Sequence, residues 1–266
     1  MSDDHRSSKV IVEMAGAPAA GKSTILVEVQ RACAALGVDT ATVEDLARPW
    51  VRSMRMGRLL RFVPSPRLRR RMEWQVFAVS RAVVGLWSIV VRPGLAAVLW
   101  QTQRGRPAAA LARRRRAVRW FIRTLGTRSL LDRSDFHDVV VLIDEGVVHR
   151  TVQLFTSPVE SAAPDTVRRY VANVPAPHVV VHVQADIAVC TARALERGAR
   201  PHWGWTHDSE IAAYISHATD AVRLTIDAIE QLGVPVVGVD NNTDVAHDLV
   251  DRLRPILCGD GERADR

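Results

Sequence analysis

At 266 residues the chain can bury the core of one α/β domain without disulfide support. Its three cysteines, Cys33, Cys190 and Cys258, lie far apart and match neither a CxxC nor a metal-ligand spacing, which suits a reducing compartment and buried thiols. The opening segment MSDDHRSSK is polar and is not a secretory signal, so a cytoplasmic location is expected. Charge is unevenly placed. Residues 48–133 hold 21 arginines against two acids, Glu73 and Asp132, a local net of +19; the remainder carries 15 basic and 27 acidic residues, a net of −12. That split describes a basic insert on an acidic scaffold, not a uniformly basic nucleic-acid binder, and nucleic acid is not an expected partner.

In chain order, KVIVEMA (9–15) is an apolar run of strand length, and a glycine-bearing loop follows it. From Ser23 the pattern TILVEVQRACAAL predicts a helix, with Gly37 as its stop. Residues 38–43 read as a second strand ending at Glu44 and Asp45. The stretch 48–133 shows no strand pattern, only arginine-rich apolar segments punctuated by Pro64, Pro66, Pro93–Gly94, Gly105–Arg106–Pro107 and Gly126.

Strand character returns at 138–143, DVVVLI, an apolar run suited to a parallel strand covered on both faces, and it ends in Asp144–Glu145–Gly146. Helical or irregular chain leads to Val174. Further strands are predicted at 178–183 and 234–239, with helices at about 186–196, 208–232 and 243–257 and a solvated tail over 258–266. Strands alternating with helices imply right-handed crossovers. The expected fold class is α/β: a P-loop NTPase with a doubly wound, five-stranded parallel sheet, helices on both faces and the arginine-rich helical insert between strands 2 and 3. The whole chain, 1–266, reads as a single domain.

Residues 16–23, GAPAAGKS, satisfy GxxxxGK(S/T) in the required setting of strand before and helix after. Gly16, Ala17, Ala19, Ala20, Gly21, Lys22, Ser23 and Thr24 are the expected phosphate-binding set. Glycines let successive N–H groups turn toward a phosphate, and the positive end of the following helix adds to that field. Lys22 places a point charge between the β- and γ-phosphates, and the Ser23 hydroxyl is a ligand for Mg²⁺. Lysine occurs only at positions 9 and 22, in a chain that otherwise uses arginine, and a guanidinium does not replace an ammonium there.

Four stretches together resemble the nucleoside and nucleotide kinase branch of P-loop proteins, which includes thymidylate kinase and deoxynucleoside kinases: VEMAGAPAAGKST, the strand ending in Asp144–Glu145–Gly146, TARALERGAR (191–200) and VPVVGVDNNTD (234–244). The resemblance implies ATP and Mg²⁺ as donor and metal, with Asp144 near the metal or acting as the acceptor's base. It implies a lid over 193–207 whose Arg193, Arg197 and Arg200, spaced four then three, share a helical face if the helix persists. It also implies a loop on the adenine side after the last strand. Glu44 is an alternative base by the same likeness, although DLARPW follows it where deoxynucleoside kinases carry a Glu-Pro-Val type motif. A GTPase would want NKxD where the chain has Asn241–Asn242–Thr243–Asp244, so GTPase is not expected.

In this fold the chain between the second and third strands builds the acceptor site. Within the insert, Ser65–Pro66 opens a helix running to about Val91, with serine as N-cap and proline at the first position. Apolar residues at 95–100 follow, and an amphipathic segment spans 107–125. Arg81, Arg92 and Pro93–Gly94 break any membrane span. Five of the seven tryptophans, Trp50, Trp74, Trp87, Trp100 and Trp120, fall in or beside the insert. Three readings stand: a helical cap with tryptophan in the core and arginine in solvent, a site for a small anionic acceptor, or an interfacial surface that meets anionic lipid at the inner membrane face. The expected activity is transfer of the γ-phosphoryl group of Mg·ATP to a small acceptor, nucleoside-like or another anionic metabolite. The alternatives are a kinase of a lipid-linked or sugar acceptor, and a membrane-associated ATPase or switch. A homodimer is compatible with all of them.

Overall fold

The computed structural model describes residues 9–104, 111–134, 136–198, 207–242 and 248–258. Five strands form one sheet: β1 (Val10–Ala15), β2 (Thr40–Thr42), β3 (Val140–Ile143), β4 (Val179–Gln184) and β5 (Val236–Asp240). Their order is β2-β3-β1-β4-β5, and every pairing is parallel. β1 is therefore central, with Val12 registered against Leu142 on one side and Val179 on the other. The chain fills one side of β1 with β2 and β3, then crosses to the other side for β4 and β5. Crevices for ligands in open parallel sheets form at the carboxyl ends of strands beside such a reversal.

Helices cover both faces, as β-strands buried on two sides require. On one face, α1 (Lys22–Ala35) shares a core with three helices from the second half of the chain. Its core joins Val12 and Met14 to Ile25, Val29, Ile211 and Leu249. The alternate residues of β1 point the other way: Ala15 joins Phe121, Leu125, Val152 and Tyr170, and Ile11 packs with Leu131, Val141 and Ile143. Glu13 occupies the same side of β1, between Ile11 and Ala15, and is fully buried.

Between β2 and β3 the described elements are all helices: α2 (Val43–Ser53), α3 (Arg55–Leu59), a 3₁₀ turn (Leu60–Phe62), α4 (Pro66–Val90), α5 (Pro93–Gln103) and α6 (Leu111–Asp132). The Ser65 side chain accepts from the Leu68 N–H with Pro66 in the first turn, so the cap and start of α4 stand as expected. Residue 48 lies within α2, which begins in a capping box between Thr42 and Asp45. Gly126 does not punctuate the chain. It sits inside α6, which runs on past Leu125, and a Cβ there would overlap the Arg81 backbone, while a Cβ at Gly85 would overlap the Ile122 carbonyl. These two glycines let α4 and α6 cross backbone to backbone. No single helix among the described residues is long and apolar enough to cross a membrane.

The remaining helices are α7 (Arg150–Phe155), α8 (Pro164–Val171), α9 (Ile187–Glu196), α10 (Asp208–Glu230) and α11 (Leu249–Leu257). Gly37, at φ 72°, terminates α1 as expected. The predicted start of the last helix at 243–247 and the tail from 259 lie outside the described residues.

Candidate active site

The turn from β1 into α1 holds two left-handed residues within three positions. Ala19 (φ 62°) and Gly21 (φ 93°) both adopt left-handed conformations, and Ala19 does so with a Cβ, at a cost in backbone strain of about 1–3 kcal/mol. At that φ a side chain on Gly21 is strained, and its Cβ would displace the Asn241 amide. Gly16 likewise abuts the Val183 carbonyl of β4. The first N–H groups of α1 have no partner within the helix and stand at its positive end, where an anion is favoured.

Lys22 is nearly buried beneath this loop, and its ammonium donates to the carbonyls of Gly16 (3.2 Å) and Ala17 (3.0 Å). Burial lowers its pKa from the usual lysine value, while Glu145 and Asp144 pull the other way. The Ser23 hydroxyl donates to Asp144 Oδ2 at 3.1 Å across the gap between α1 and the end of β3. Asp144 Oδ1 is buried without a partner. A hydroxyl and a carboxylate with a spare oxygen fit Mg²⁺, which takes few protein ligands when phosphate oxygens complete its octahedron. Among the described residues no cluster of three or more carboxylate, thiol or imidazole groups could hold a metal by itself.

Two adjoining cavities open here. The smaller, of about 260 Å³, is walled by the loop (Pro18, Ala19, Gly21, Lys22, Ser23 and Thr24) and by Asp144, Glu145, His149, Gln153, Arg197 and Tyr214. The larger, of about 530 Å³, lies between the sheet edge and the insert, and its polar walls are Glu13, Glu44, Arg81, Arg123, Arg128 and Arg150, with Trp120 among the apolar ones. Asp144 and Glu145 are common to both. This shared partition is the chief geometric fact of the site.

The arginines of the larger cavity are held from different elements. Arg150, at the start of α7, donates to Glu145 Oε2 (3.0 Å), Thr124 Oγ1 (2.9 Å) and Gln153 Oε1 (2.6 Å), and lies 5.9 Å from the Trp120 ring centroid. Arg128 is bound through Nη2 to the Ala176 carbonyl and through Nε to Asp132, but its Nη1 is buried and unpartnered. Arg81 leans over Trp74 and Phe77, and its buried Nε is also unpartnered. Burial, with Arg123 nearby, depresses its pKa. Facing them, Glu13 accepts from the Val148 N–H (3.0 Å) through Oε2, and its Oε1 is buried without a partner. Burial drives the Glu13 carboxyl up from the ordinary value despite the opposing pull of the Val148 amide and of Arg128 and Arg150.

Other residues named from the sequence are placed as follows. Glu44 lines only the larger cavity, on the wall formed by α2. Asp45 is occupied by the Thr42 backbone and hydroxyl (2.9 and 2.7 Å) and stays with the helix cap. Arg193 donates through Nη2 to the Asn241 carbonyl (3.3 Å), and its Nη1 is buried and unpartnered near Gly21. Arg197 reaches the smaller cavity. The helical face drawn through Arg193, Arg197 and Arg200 does not persist: α9 ends at Glu196, and Gly198 turns left-handed at φ 69°. Arg200 and the part of the expected lid at 199–206 lie outside the described residues. The loop after β5 reaches the phosphate loop directly, with Asn241 Nδ2 donating to the Ala20 carbonyl at 2.7 Å. Thr243 and Asp244 lie outside the described residues.

Sequence reasoning missed Glu13, Arg150 and His149. A glutamate inside an apolar parallel strand is a visible signal, since a buried carboxyl needs a reason. His149 is buried at the smaller cavity, where burial, Lys22 and Arg150 hold its pKa well below the usual histidine value, so its ring is neutral. Arg81, Arg123 and Arg128 were not distinguishable among 21 arginines without the α4–α6 crossing.

A central β1 flanked by β3 and β4, with GxxxxGKS at its carboxyl end and an aspartate from β3 facing the serine, defines an α/β protein of the P-loop NTPase class. The sequence matches no protein-family model and no curated protein. Among solved structures, the shikimate kinase from Acinetobacter baumannii in complex with shikimate aligns over 96% of this chain and 97% of its own, at 10% identity and a TM-score of 0.41. The class rests on the sheet order and the loop, not on that likeness.

Proposed function

We propose that the protein is a small-molecule kinase that moves the γ-phosphoryl group of Mg·ATP to a hydroxyl of an anionic acceptor. The observation that carries the proposal is the partition: a phosphate-loop cavity and an arginine-walled cavity adjoin, with Asp144 and Glu145 between them. Hydrolysis alone would need no second cavity of about 530 Å³ beside the loop. Phosphoryl transfer requires donor and acceptor oxygens held in line with charge stabilisation between them, and two cavities meeting at carboxylates and cations supply that positioning.

On this reading the triphosphate lies along the loop, and Lys22 exchanges the Gly16 and Ala17 carbonyls for phosphate oxygens. Ser23 and Asp144 would hold Mg²⁺, which would offset charge on the phosphates. The acceptor oxygen forms the new bond to the γ-phosphorus as the bond to the bridging oxygen breaks. Its proton passes to a carboxylate at the partition. Glu145 is oriented for this by its pairing with Arg150, and Glu44 is the alternative on the opposite wall. Arg193 and Arg197 stand on the loop side, where they neutralise charge that develops on the transferring group. The buried, unpartnered donors of Arg81 and Arg128 favour an acceptor carrying a carboxylate or phosphate of its own.

The test is nucleotide consumption with and without a panel of hydroxylated carboxylates, phosphorylated sugars, nucleosides and nucleoside monophosphates. Consumption that needs one acceptor, and that Lys22→Ala abolishes with circular dichroism unchanged, is the expected result. Acceptor-independent hydrolysis that anionic vesicles stimulate would instead establish a membrane-associated ATPase or switch.

A further inference from the structure

Helix α4 buries one side and leaves an apolar line exposed on the other. Its inward side, with Glu73, Phe77, Gly85 and Ser88, is buried against α6 and the rest of the insert. Leu68, Val79, Val83, Leu86 and Val90 are spaced by eleven, four, three and four residues, so they fall on the other side in one line of about 33 Å. All five are exposed, from 50% at Leu68 to 70% at Val90. Trp87 and Val91 widen the line, and Trp100 on α5 adds a further exposed indole at 67%. An amphipathic helix of a globular fold would carry charge there.

The segment that carries this line, 48–133, is cationic and almost free of acid. Arg67, Arg70 and Arg71 are exposed on the first two turns of α4, and Arg104 follows α5. Of the two carboxylates in the segment, Glu73 is 1% exposed and bound to Arg52 at 2.7 Å, and Asp132 is bound to Arg128 at 3.1 Å. A second copy of this chain would bring the same +19 segment against itself, which like-charge repulsion opposes. A helix side that exposes an aliphatic line and tryptophan, with Arg71 one turn from Leu68 and further exposed arginines at the two ends of the α4–α5 pair, matches the headgroup boundary of a bilayer. The α4–α5 pair has the length and apolarity of a span but is bent by 97°, and one side of α4 is buried in the fold.

We infer that the exposed α4–α5 side is a peripheral docking surface for an anionic phospholipid leaflet, with the aliphatic line inserted and the arginines on the headgroups. The surface is distinct from the two cavities and holds whether or not they transfer phosphate. Arginine attraction to anionic headgroups falls off with salt, and insertion of the aliphatic line adds a part that does not.

The experiment is co-sedimentation of the full chain with vesicles of phosphatidylcholine alone and of phosphatidylcholine with an equal share of phosphatidylglycerol, at low and at raised salt. Binding to the mixed vesicles at least tenfold tighter than to the neutral ones is expected. The combined variant Val79→Ser, Val83→Ser, Leu86→Ser, Val90→Ser weakens it a further tenfold or more while nucleotide binding is kept. Should that variant fold poorly, brominated lipid read on the wild type and on Trp87→Phe/Trp100→Phe decides the matter, since quenching that falls away in the double variant places those indoles in the bilayer. Wild-type protein left in the supernatant, equal binding by the serine variant, quenching unchanged by the double variant, or a wild-type oligomer that the serine variant turns into monomer would each overturn the inference.

Discussion

Replacing Gly126 by alanine sets two physical effects against each other. In a helix interior, alanine is favoured over glycine by about 1 kcal/mol, so local propensity alone predicts a more stable protein. The tertiary structure predicts the reverse. A Cβ at Gly126 meets the carbonyl oxygen, carbonyl carbon and Cα of Arg81, all backbone atoms of α4, with no side chain that can swing aside. Relief requires separating two helices that also touch at Gly85, and overpacking of this kind costs about 1–3 kcal/mol. With backbone on both sides the cost lies toward the top of that range, which leaves a net loss of about 1–2 kcal/mol after the propensity gain. For a chain of this size that lowers Tm by about 2–8 °C. Thermal and urea unfolding followed by circular dichroism would measure it, with Arg116→Ala on the exposed side of the same helix as a control expected to stay within about 0.5 kcal/mol. Since Arg81 lines the larger cavity, the same separation also raises KM for the acceptor while KM for the nucleotide is unchanged. A Gly126→Ala protein as stable as the wild type, or more so, would refute the close crossing of α4 and α6.

Glu13→Gln should change how stability depends on pH. Burial raises the Glu13 pKa in the folded protein above its ordinary value of 4.5, so the unfolded chain ionises first as pH rises, and stability falls from that point until the folded pKa is passed. The glutamine protein should lack that loss: similar to wild type below pH 4.5 and more stable at neutral pH, with parallel melting curves at all pH values as the contrary result. Arg123→Ala, at an exposed wall of the larger cavity, should raise acceptor KM at least tenfold with nucleotide KM and Tm unaltered; steady-state kinetics varying each substrate in turn would detect the split. Lys22→Ala should retain the fold and lose turnover by a factor of a thousand or more, and undiminished transfer would remove the loop from the reaction.

Much of this protein is legible along the chain because it depends on local rules. The buried strands are continuous apolar runs, the helices begin at caps such as Ser65 and stop at Gly37, and the phosphate loop is a contiguous segment whose chemistry dictates its residue types. Strand ends were less legible: residues 38 and 39 carry a strand pattern but lie outside β2, and Val43 already belongs to the next helix because Thr42 and Asp45 close a capping box there. Gly126 shows the limit of local reading most plainly. Glycine signals a break when only propensity is weighed, whereas here it serves a contact with Arg81, 45 residues away in sequence.

Sequence alone determined that a triphosphate loop stands between a strand and a helix, that an acidic pair ends the third strand, and that a basic helical segment lies between strands 2 and 3. Only the tertiary structure decided that Asp144 faces Ser23, that it and Glu145 divide two cavities, and which of 21 insert arginines reach the second one. Periodicity specifies which side of an element is apolar, not what that side meets. Along the chain Val79, Val83, Leu86 and Val90 read as a core-facing side of α4, yet the fold leaves them in solvent and buries the side that holds Glu73, Phe77, Gly85 and Ser88.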